Sequence, residues 1–282
     1  MAISSRLWRC GWLTRAISVS DILRLGPHCE WHENSRTTTV SYPISDAKDF
    51  NMVLSHFHDP PVDTVRGVDI EEVRRQYDGY DPRIRRIIDM IPPGVSRWPL
   101  LVTGPLETWS SPEKNVVLIG DAAHSMVNHM AQGAATSMED GAFLARCLSL
   151  VVKGKATVAD AVTLYEKGRM PKASYKQQVS FLNGWIWHLP EGPAQEARDR
   201  EMQCELSGEV PMRSSNLYGD PSCVQECYGY DAEKHADIEI STFLNRGKAV
   251  RDAATTIQPE RADQIANWFL PEEHQFKVSP KL

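Results

Sequence analysis

The sequence lacks a surplus of basic residues and any long uninterrupted run of apolar residues. Its 31 lysines and arginines are outnumbered by 37 aspartates and glutamates, which gives a formal net charge of −6. Proteins that bind nucleic acid need basic side chains to neutralise phosphates, so the composition argues against a nucleic-acid partner. No stretch approaches the ~20 apolar residues that a membrane-spanning helix requires. We therefore expect a cytoplasmic protein without a membrane span.

Cysteine is also scarce, with six residues in a chain of 282. Small secreted domains use a dense disulfide framework, and a chain of this length with so few cysteines does not fit that class. Cys223 and Cys227 lie close together, but no second pair of cysteines or histidines with the spacing of metal ligands accompanies them. We interpret these cysteines as separate thiols and predict no metal site.

The first 110 residues contain no strand, Gly-x-Gly-x-x-Gly loop and helix in succession, which is the signature of a dinucleotide-binding unit. Instead, β-branched and aromatic residues at 37–42 and 50–54 predict two strands joined by a turn. Helical periodicity follows between 69 and 91, where Asp81 and Pro82 form a typical helix start.

The most informative segment is an apolar, β-branched run, Asn115–Ile119, that ends at Gly120. Such a run without alternation is typical of a strand covered on both faces in an α/β sheet. Shorter strands are predicted before it, at 97–102 and 106–109. A helix is predicted after it, from about 131 to 153, and its sides carry so few polar residues that it should be largely buried. Its apolar stripe consists of Ala135, Met138, Ala142, Ala145, Leu148 and Val152.

The next helix is predicted to begin at a capping box formed by Thr157 and Asp160 and to run to about Trp187, with a kink at Pro171. Beyond Gly192 the periodicity weakens. We expect only a loosely packed extension there.

The candidate site lies where the predicted strand ends, because open α/β sheets bind ligands at the carboxyl ends of their strands. Gly120 permits close approach to the backbone, and Asp121 offers an acceptor-only carboxylate suited to ribose-like or ribityl hydroxyls. A helix start at Gly133 supplies unpaired N–H groups and a partial positive charge, and the small Ala134 and Ala135 leave room for a flat ring. Asp121 could instead only cap the following turn, so the residues alone leave both alternatives open.

Leu118–His124, followed by Gln132-Gly133 and Glu139–Ala142, closely resembles the second flavin motif of class A FAD-dependent aromatic monooxygenases. The sequence is nearest to the fungal salicylate-hydroxylase-like branch, and the resemblance covers about residues 8–235. It implies that Asp121 holds the ribityl chain of FAD. It also implies that the backbone of residue 134 contacts the isoalloxazine ring.

Three differences from the family stand out. Asn128 replaces the usual proline, and Ala131 replaces the usual glycine, a change that we expect to add only a methyl group. The family's N-terminal Gly-x-Gly-x-x-Gly segment has no counterpart, so we expect the ADP half of FAD to find no cradle in these residues.

On the substrate side, Arg15 resembles the family arginine that faces the substrate, and Tyr42 resembles the tyrosine of its Tyr-Pro strand. An arginine and a tyrosine together could hold and polarise a phenolate. A solvated charge and an ordinary strand aromatic are the alternatives. His124, next to the flavin motif, is expected to pack and to bond backbone rather than to act as a base.

The resemblance implies an α/β fold, the C-terminal portion of a PHBH-like flavin monooxygenase fold. We assign 1–102 to a partial substrate-binding β-sheet domain, 103–190 to the C-terminal part of an FAD-binding domain, and 191–282 to a C-terminal extension. The implied activity is FAD-dependent hydroxylation of an aromatic, enolic or polyketide-like small molecule with NAD(P)H and O₂. The alternatives are a non-redox binding protein, a cofactor-independent cyclase or isomerase, or a subunit that completes the flavin site of a partner chain.

Overall fold

The computed structural model describes residues 17–18, 29–31, 37–46, 48–56, 64–104, 106–206, 213–246 and 270–274. The chain divides into two compact units, one formed by residues 1–101 with 187–191 and the other by 102–186 with 192–282. Among the helices of the described ranges, none has the length and apolar character needed to cross a membrane.

The first unit is built on an antiparallel sheet with the strand order β1-β4-β3-β2. The predicted hairpin is confirmed, since β3 and β4 pair along their length and Val40 lies opposite Val53. A short second sheet pairs β5 with β6. In chain order the elements are β1 (Ile17–Ser18), β2 (Cys29–Trp31), β3 (Thr37–Ile44), β4 (Asp49–His56), β5 (Arg66–Val68), α1 (Ile70–Gln76), α2 (Pro82–Asp89) and β6 (Val95–Arg97).

Helix α2 begins as its sequence predicts. The Asp81 carboxylate accepts a hydrogen bond from the Arg83 N–H at 2.8 Å, and Pro82 occupies the first helical position. The apolar side of this helix packs with Met52 and Leu54 of β4 to form the core of the unit. The buried isoleucines of α2 are Ile84, Ile87 and Ile88, and Ile91, just after the helix, joins the same core.

The second unit is helical in its described residues. Its elements are α3 (Asp121–His124), α4 (Gly133–Val152), α5 (Val158–Trp187), α6 (Pro193–Leu206), α7 (Pro221–Cys227) and α8 (Ala232–Arg246), with the end of α5 assigned to the first unit. The capping box of α5 is confirmed, since the Thr157 N–H donates to Asp160 and the Asp160 N–H donates to the Thr157 hydroxyl. Pro171 lies inside α5, which continues past it.

The strand predicted at 115–119 does not form as a covered strand. It makes one isolated bridge, between Val117 and Ser110, and no other described segment pairs with it. As a result, Val116 is 61% exposed and Ile119 is 47% exposed. The strand predicted at 106–109 is also absent, and in place of one at 97–102 the structure forms β6, which ends at Arg97. A strand exists only where neighbours accept its backbone hydrogen bonds, and residue composition does not reveal those neighbours.

Helix α4 is confirmed, but its predicted burial is wrong. The buried side consists of Thr136, Asp140, Phe143, Cys147 and Leu150. It packs in one core with residues of α5 and α8. The predicted apolar stripe instead lies toward solvent, with Met138 75% exposed and Val152 89% exposed. We call the exposed small and apolar residues Ala134, Met138, Ala145, Leu148 and Val152 the open face of α4.

The expectation of a loosely packed C-terminal extension is wrong for residues 192–206 and 213–246. Helices α6, α7 and α8 lie there. Leu217 and Cys223 are fully buried, and Phe243 of α8 joins the core that α4 and α5 share. Short helices with mixed polar faces escape a search for long apolar periods.

Ala131 adopts a left-handed backbone between α3 and α4. After a 3₁₀ turn at Asn128–Met130, its φ and ψ are 49° and 33°. An alanine in this region costs about 1–2 kcal/mol relative to the right-handed form, whereas a glycine adopts it freely. The expectation that this alanine only adds a methyl group is therefore wrong, because it also strains the backbone.

We predict that Ala131→Gly raises the free energy of unfolding by about 0.5–1 kcal/mol, because relief of strain exceeds the added entropy of the unfolded chain. Urea unfolding of both proteins checks this. Gly154 is the matched control, since its φ is +67° and a Cβ there meets nothing within 4 Å. Gly154→Ala should lower the stability through the backbone alone. A neutral or destabilising Ala131→Gly beside a destabilising Gly154→Ala would contradict the prediction.

Candidate flavin site

Gly120 is required by its conformation and by its neighbour. Its φ and ψ are 60° and −143°, a region that side chains with a Cβ rarely adopt. A Cβ at this position would also lie 2.9 Å from the Ser137 Oγ of α4. The close approach that the sequence predicts at Gly120 therefore includes an approach to α4, which places the start of α3 beside the first turns of α4.

Asp121 is the first residue of α3, and its side chain is exposed. Among the described residues it has no hydrogen-bond or ion-pair partner, so it does not cap the following turn. Its Oδ1 lies 4.0 Å from the position that a Cβ on Gly133 would take. The carboxylate is thus available to a ligand at the point where α4 begins.

The start of α4 offers backbone donors next to this carboxylate. Gly133, Ala134 and Ala135 are its first three residues, and the residue before them, Gln132, makes no side-chain cap. The first N–H groups of a helix have no acceptor within it. The dipole of a helix this long adds about half a positive charge at the same end. The five residues predicted to contact the cofactor are therefore brought together.

Two buried acceptors fit a ligand at this loop. The Asn128 Oδ1 and the Gln132 Oε1 are buried without a hydrogen-bond partner in the described part of the chain. A buried unpaired acceptor costs about 1–3 kcal/mol, which a ligand with N–H or O–H donors would offset. Together with Asp121 and the start of α4, these residues fit the hydroxyl-rich chain and polar ring edge of a flavin.

A buried ion network underlies the site. The Asp140 Oδ2 lies 2.5 Å from the His124 Nε2 and accepts the Gly120 N–H at 3.0 Å. The Asp140 Oδ1 accepts the Arg169 Nε–H at 2.8 Å. Burial raises the pKa of Asp140, but the hydrogen bond from His124 and the charge of Arg169 outweigh it, so the pKa lies below its usual value. The sequence analysis expected the His124 ring to bond to backbone. Its Nε2 instead bonds to the Asp140 carboxylate.

This network extends through α4 and α5. Arg169 also donates to Glu139 at 2.9 Å, and Lys176 donates to the other oxygen of Glu139 at 2.5 Å. The side chains of Arg169 and Lys176 are fully buried. Sequence analysis missed both residues. Helix α5 also carries other charged residues, among them Glu166, Lys167 and Lys172, so nothing in the sequence distinguishes these two.

The loop between α3 and α4 is held by side chains from other parts of the second unit. These donate to backbone carbonyls: Gln177 to Ser125 at 3.0 Å, Asn183 to His129 at 2.7 Å and Tyr228 to Met130 at 2.8 Å. The loop conformation is therefore specified by α5 and by the segment after α7, which sequence analysis did not connect to the site.

Neither of the two predicted substrate residues is among the described residues of the second unit. Tyr42 is on β3 of the first unit, opposite Asn51, and is 46% exposed. Arg15 lies outside the described residues. Their assignment to the substrate stays a prediction.

Comparison with known proteins identifies the second unit. Residues 106–178 match the family model of an FAD binding domain, a range that contains α3, the start of α4 and the buried network. FAD-dependent monooxygenase OpS4 of Beauveria bassiana is 30% identical over 203 residues, which are 72% of this chain and 47% of the relative. The 6-hydroxynicotinate 3-monooxygenase of Pseudomonas fluorescens is 44% identical over 116 residues, which are 41% of this chain and 29% of the relative.

The fold is similar to that of solved flavin monooxygenases. A salicylate hydroxylase substrate complex aligns with a TM-score of 0.61 and 18% identity, over 85% of this chain and 58% of that one. This likeness confirms the predicted fold class. The chain spans about half the length of the first of these relatives and less of the second. The second unit therefore contains an FAD binding domain, and the chain is related to FAD-dependent monooxygenases.

Proposed function

We propose that this chain is part of an FAD-dependent monooxygenase that hydroxylates an aromatic or enolic small molecule with NAD(P)H and O₂. The observation that supports this most directly is the unpaired Asp121 carboxylate beside the uncapped start of α4, inside the matched FAD binding domain. The relative from Pseudomonas fluorescens is named for an aromatic substrate, 6-hydroxynicotinate. An aromatic substrate class follows by similarity.

In this role the residues of the chain bind and orient the flavin and the substrate. Asp121 accepts hydrogen bonds from ribityl hydroxyls, and the N–H groups of Gly133–Ala135 face the electron-rich edge of the ring. FAD, when bound, supplies the oxidation of NAD(P)H and the activation of O₂. Arg15 and Tyr42 hold the substrate and keep its ring electron-rich by binding its phenolate oxygen.

We propose that the nucleotide end of FAD is held by residues outside α3 and the start of α4. The 282 residues contain no Gly-x-Gly-x-x-Gly loop. The open face of α4 and the exposed Val116 and Ile119 form apolar surface around the same domain. We propose that the remainder of an FAD binding domain, on a partner chain or a further segment, covers this surface and supplies the pyrophosphate contacts.

Asp121→Ala should weaken FAD about 10- to 150-fold, because a charge-assisted hydrogen bond of about 1.5–3 kcal/mol is lost. Fluorescence quenching of FAD titrated to high concentration measures this. Glu113→Ala is the matched control, since it removes an exposed carboxylate of the same unit that has no partner among the described residues. Equal affinities of Asp121→Ala and Glu113→Ala would contradict the assignment and leave Asp121 as a surface residue.

The 282-residue chain by itself should not retain FAD. Several hydrogen bonds of about 0.5–1.5 kcal/mol each are absent without a pyrophosphate cradle, so the affinity falls by many powers of ten. The visible spectrum of the purified chain, after incubation with FAD and desalting, checks this, and we expect a colourless protein. A retained flavin band near one equivalent would show that the chain cradles the nucleotide in another way.

Arg15→Lys should lower kcat/KM about tenfold or more although the charge is kept, because the planar donor fork is lost. Tyr42→Phe should also impair turnover, because the hydroxyl that meets the phenolate is removed. Steady-state kinetics on an aromatic substrate that the assembled enzyme accepts measure both. Arg200→Lys, an exposed arginine of α6, is the control. Full activity of both substrate-side variants would end this assignment.

A further inference from the structure

One buried carboxylate contacts both ends of the turn that carries Asp121. The Asp140 Oδ2 accepts the N–H of Gly120, which precedes α3, and bonds the Nε2 of His124, which ends it. The Asp140 and His124 side chains are 0% and 1% exposed. The same oxygen thus fixes the helical turn that runs from Gly120 to His124. Asp121 directly follows Gly120 in this turn.

The hydrogen-bond directions in this arrangement are determined. An ionised carboxylate only accepts, so the His124 Nε2 carries the proton and donates. The other oxygen of Asp140 is engaged by Arg169, which reaches it from α5. Arg169 in turn donates to the backbone carbonyl of Thr136 at 3.2 Å, in the first turn of α4. Asp140 and Arg169 therefore tie α3 and the start of α4, the two halves of the candidate site, to one buried charge pair.

We infer that Asp140, with His124 and Arg169, positions the Asp121 carboxylate against the start of α4 for flavin binding. The inference rests on the proposed function. Asp140 does not touch the ligand side of the turn and acts only through Gly120 and His124. No contact of its own holds the Asp121 side chain in place, because its carboxylate lacks a partner among the described residues. Its direction is set by the backbone that Asp140 holds.

The test compares variants that differ in one contact. His124→Ala removes the donor of the bond between the two side chains, and Asp140→Asn weakens it, because one amide oxygen cannot serve both His124 and Arg169. His124→Gln keeps a side-chain N–H near the position of Nε2 and should restore it. Glu166→Gln is the control, because Glu166 is a buried carboxylate of α5 that binds Thr108, Ser110 and Lys114 instead of α3.

The first measurement is hydrogen exchange of the α3 amides, which needs no ligand. The N–H groups of Ala123 and His124 donate to the Gly120 carbonyl at 2.9 and 3.0 Å. We expect both amides to exchange at least about tenfold faster in Asp140→Asn and His124→Ala, relative to amides in the middle of α5. They should stay protected in His124→Gln and Glu166→Gln. Unchanged exchange in both of the first two variants overturns the inference.

The second measurement is the perturbation of the visible FAD band at high FAD concentration. We expect Asp140→Asn and His124→Ala to weaken FAD on the order of tenfold, the equivalent of one charge-assisted hydrogen bond, with recovery in His124→Gln. If Asp121→Ala loses affinity while Asp140→Asn and His124→Ala keep that of the wild type, the inference is wrong and the proposed function stands. If Asp121→Ala keeps the FAD affinity of the wild type, the proposed function fails at this site, and the exchange measurement alone decides whether Asp140 holds the turn.

Discussion

Asp140 places a negative charge between two helices, at a depth that water does not reach. A buried charge without partners costs several kcal/mol, so its surroundings must supply them. Here the partners are the Gly120 N–H, the His124 ring and the Arg169 guanidinium, each from a different position in the chain. Because loss of any one leaves a buried group unpaired, the end of the Asn115–Ile119 run, α3, α4 and α5 are ordered together. The candidate site is the exposed side of this arrangement.

Two aspartates of the same motif therefore have opposite environments. Asp140 is fully buried and its hydrogen-bond capacity is engaged, whereas Asp121 is exposed and has no partner among the described residues. The first stabilises the fold only when all of its partners are present. The second loses nothing in an empty site, since water solvates it, and it remains free to accept from a ligand. This contrast is the physical basis for assigning structure to one residue and binding to the other.

Local signals predicted the parts of the fold that depend on local chemistry. Asp81 with Pro82, the β-branched run at 37–42, and the capping box of Thr157 each specify their own backbone, and each is found as expected. The cofactor residues came from a motif, and their grouping follows from the turn at Gly120. The left-handed form of Ala131 was not predictable from the residue type, because alanine adopts this conformation only rarely. The turn between the 3₁₀ segment and α4 nevertheless has it.

The wrong predictions concern which surfaces of the protein are covered by neighbouring residues. Periodicity identified the apolar positions of α4, but both sides of the helix are apolar, and the sequence does not say which one has a neighbour. The structure shows Phe143 packed against α5 and α8, while Met138 faces solvent. Asn115–Ile119 fails as a strand for the same reason. Asp140, Arg169 and Lys176 were missed because a charge on a buried face is meaningful only when its partner, here 29 or 37 residues away, is known.

The open face connects ligand binding with assembly. Helix α4 presents its first N–H groups to the site, its Asp140 side to the buried network, and its Met138 side to solvent. A partner that covers the third surface would remove the apolar side chains of the open face from water. Any partner that binds the folded unit stabilises it by mass action, and a flavin shared between the two would add to that stabilisation. Under the proposed function, FAD affinity and the covering of the open face are therefore one coupled equilibrium, and each strengthens the other by the same factor.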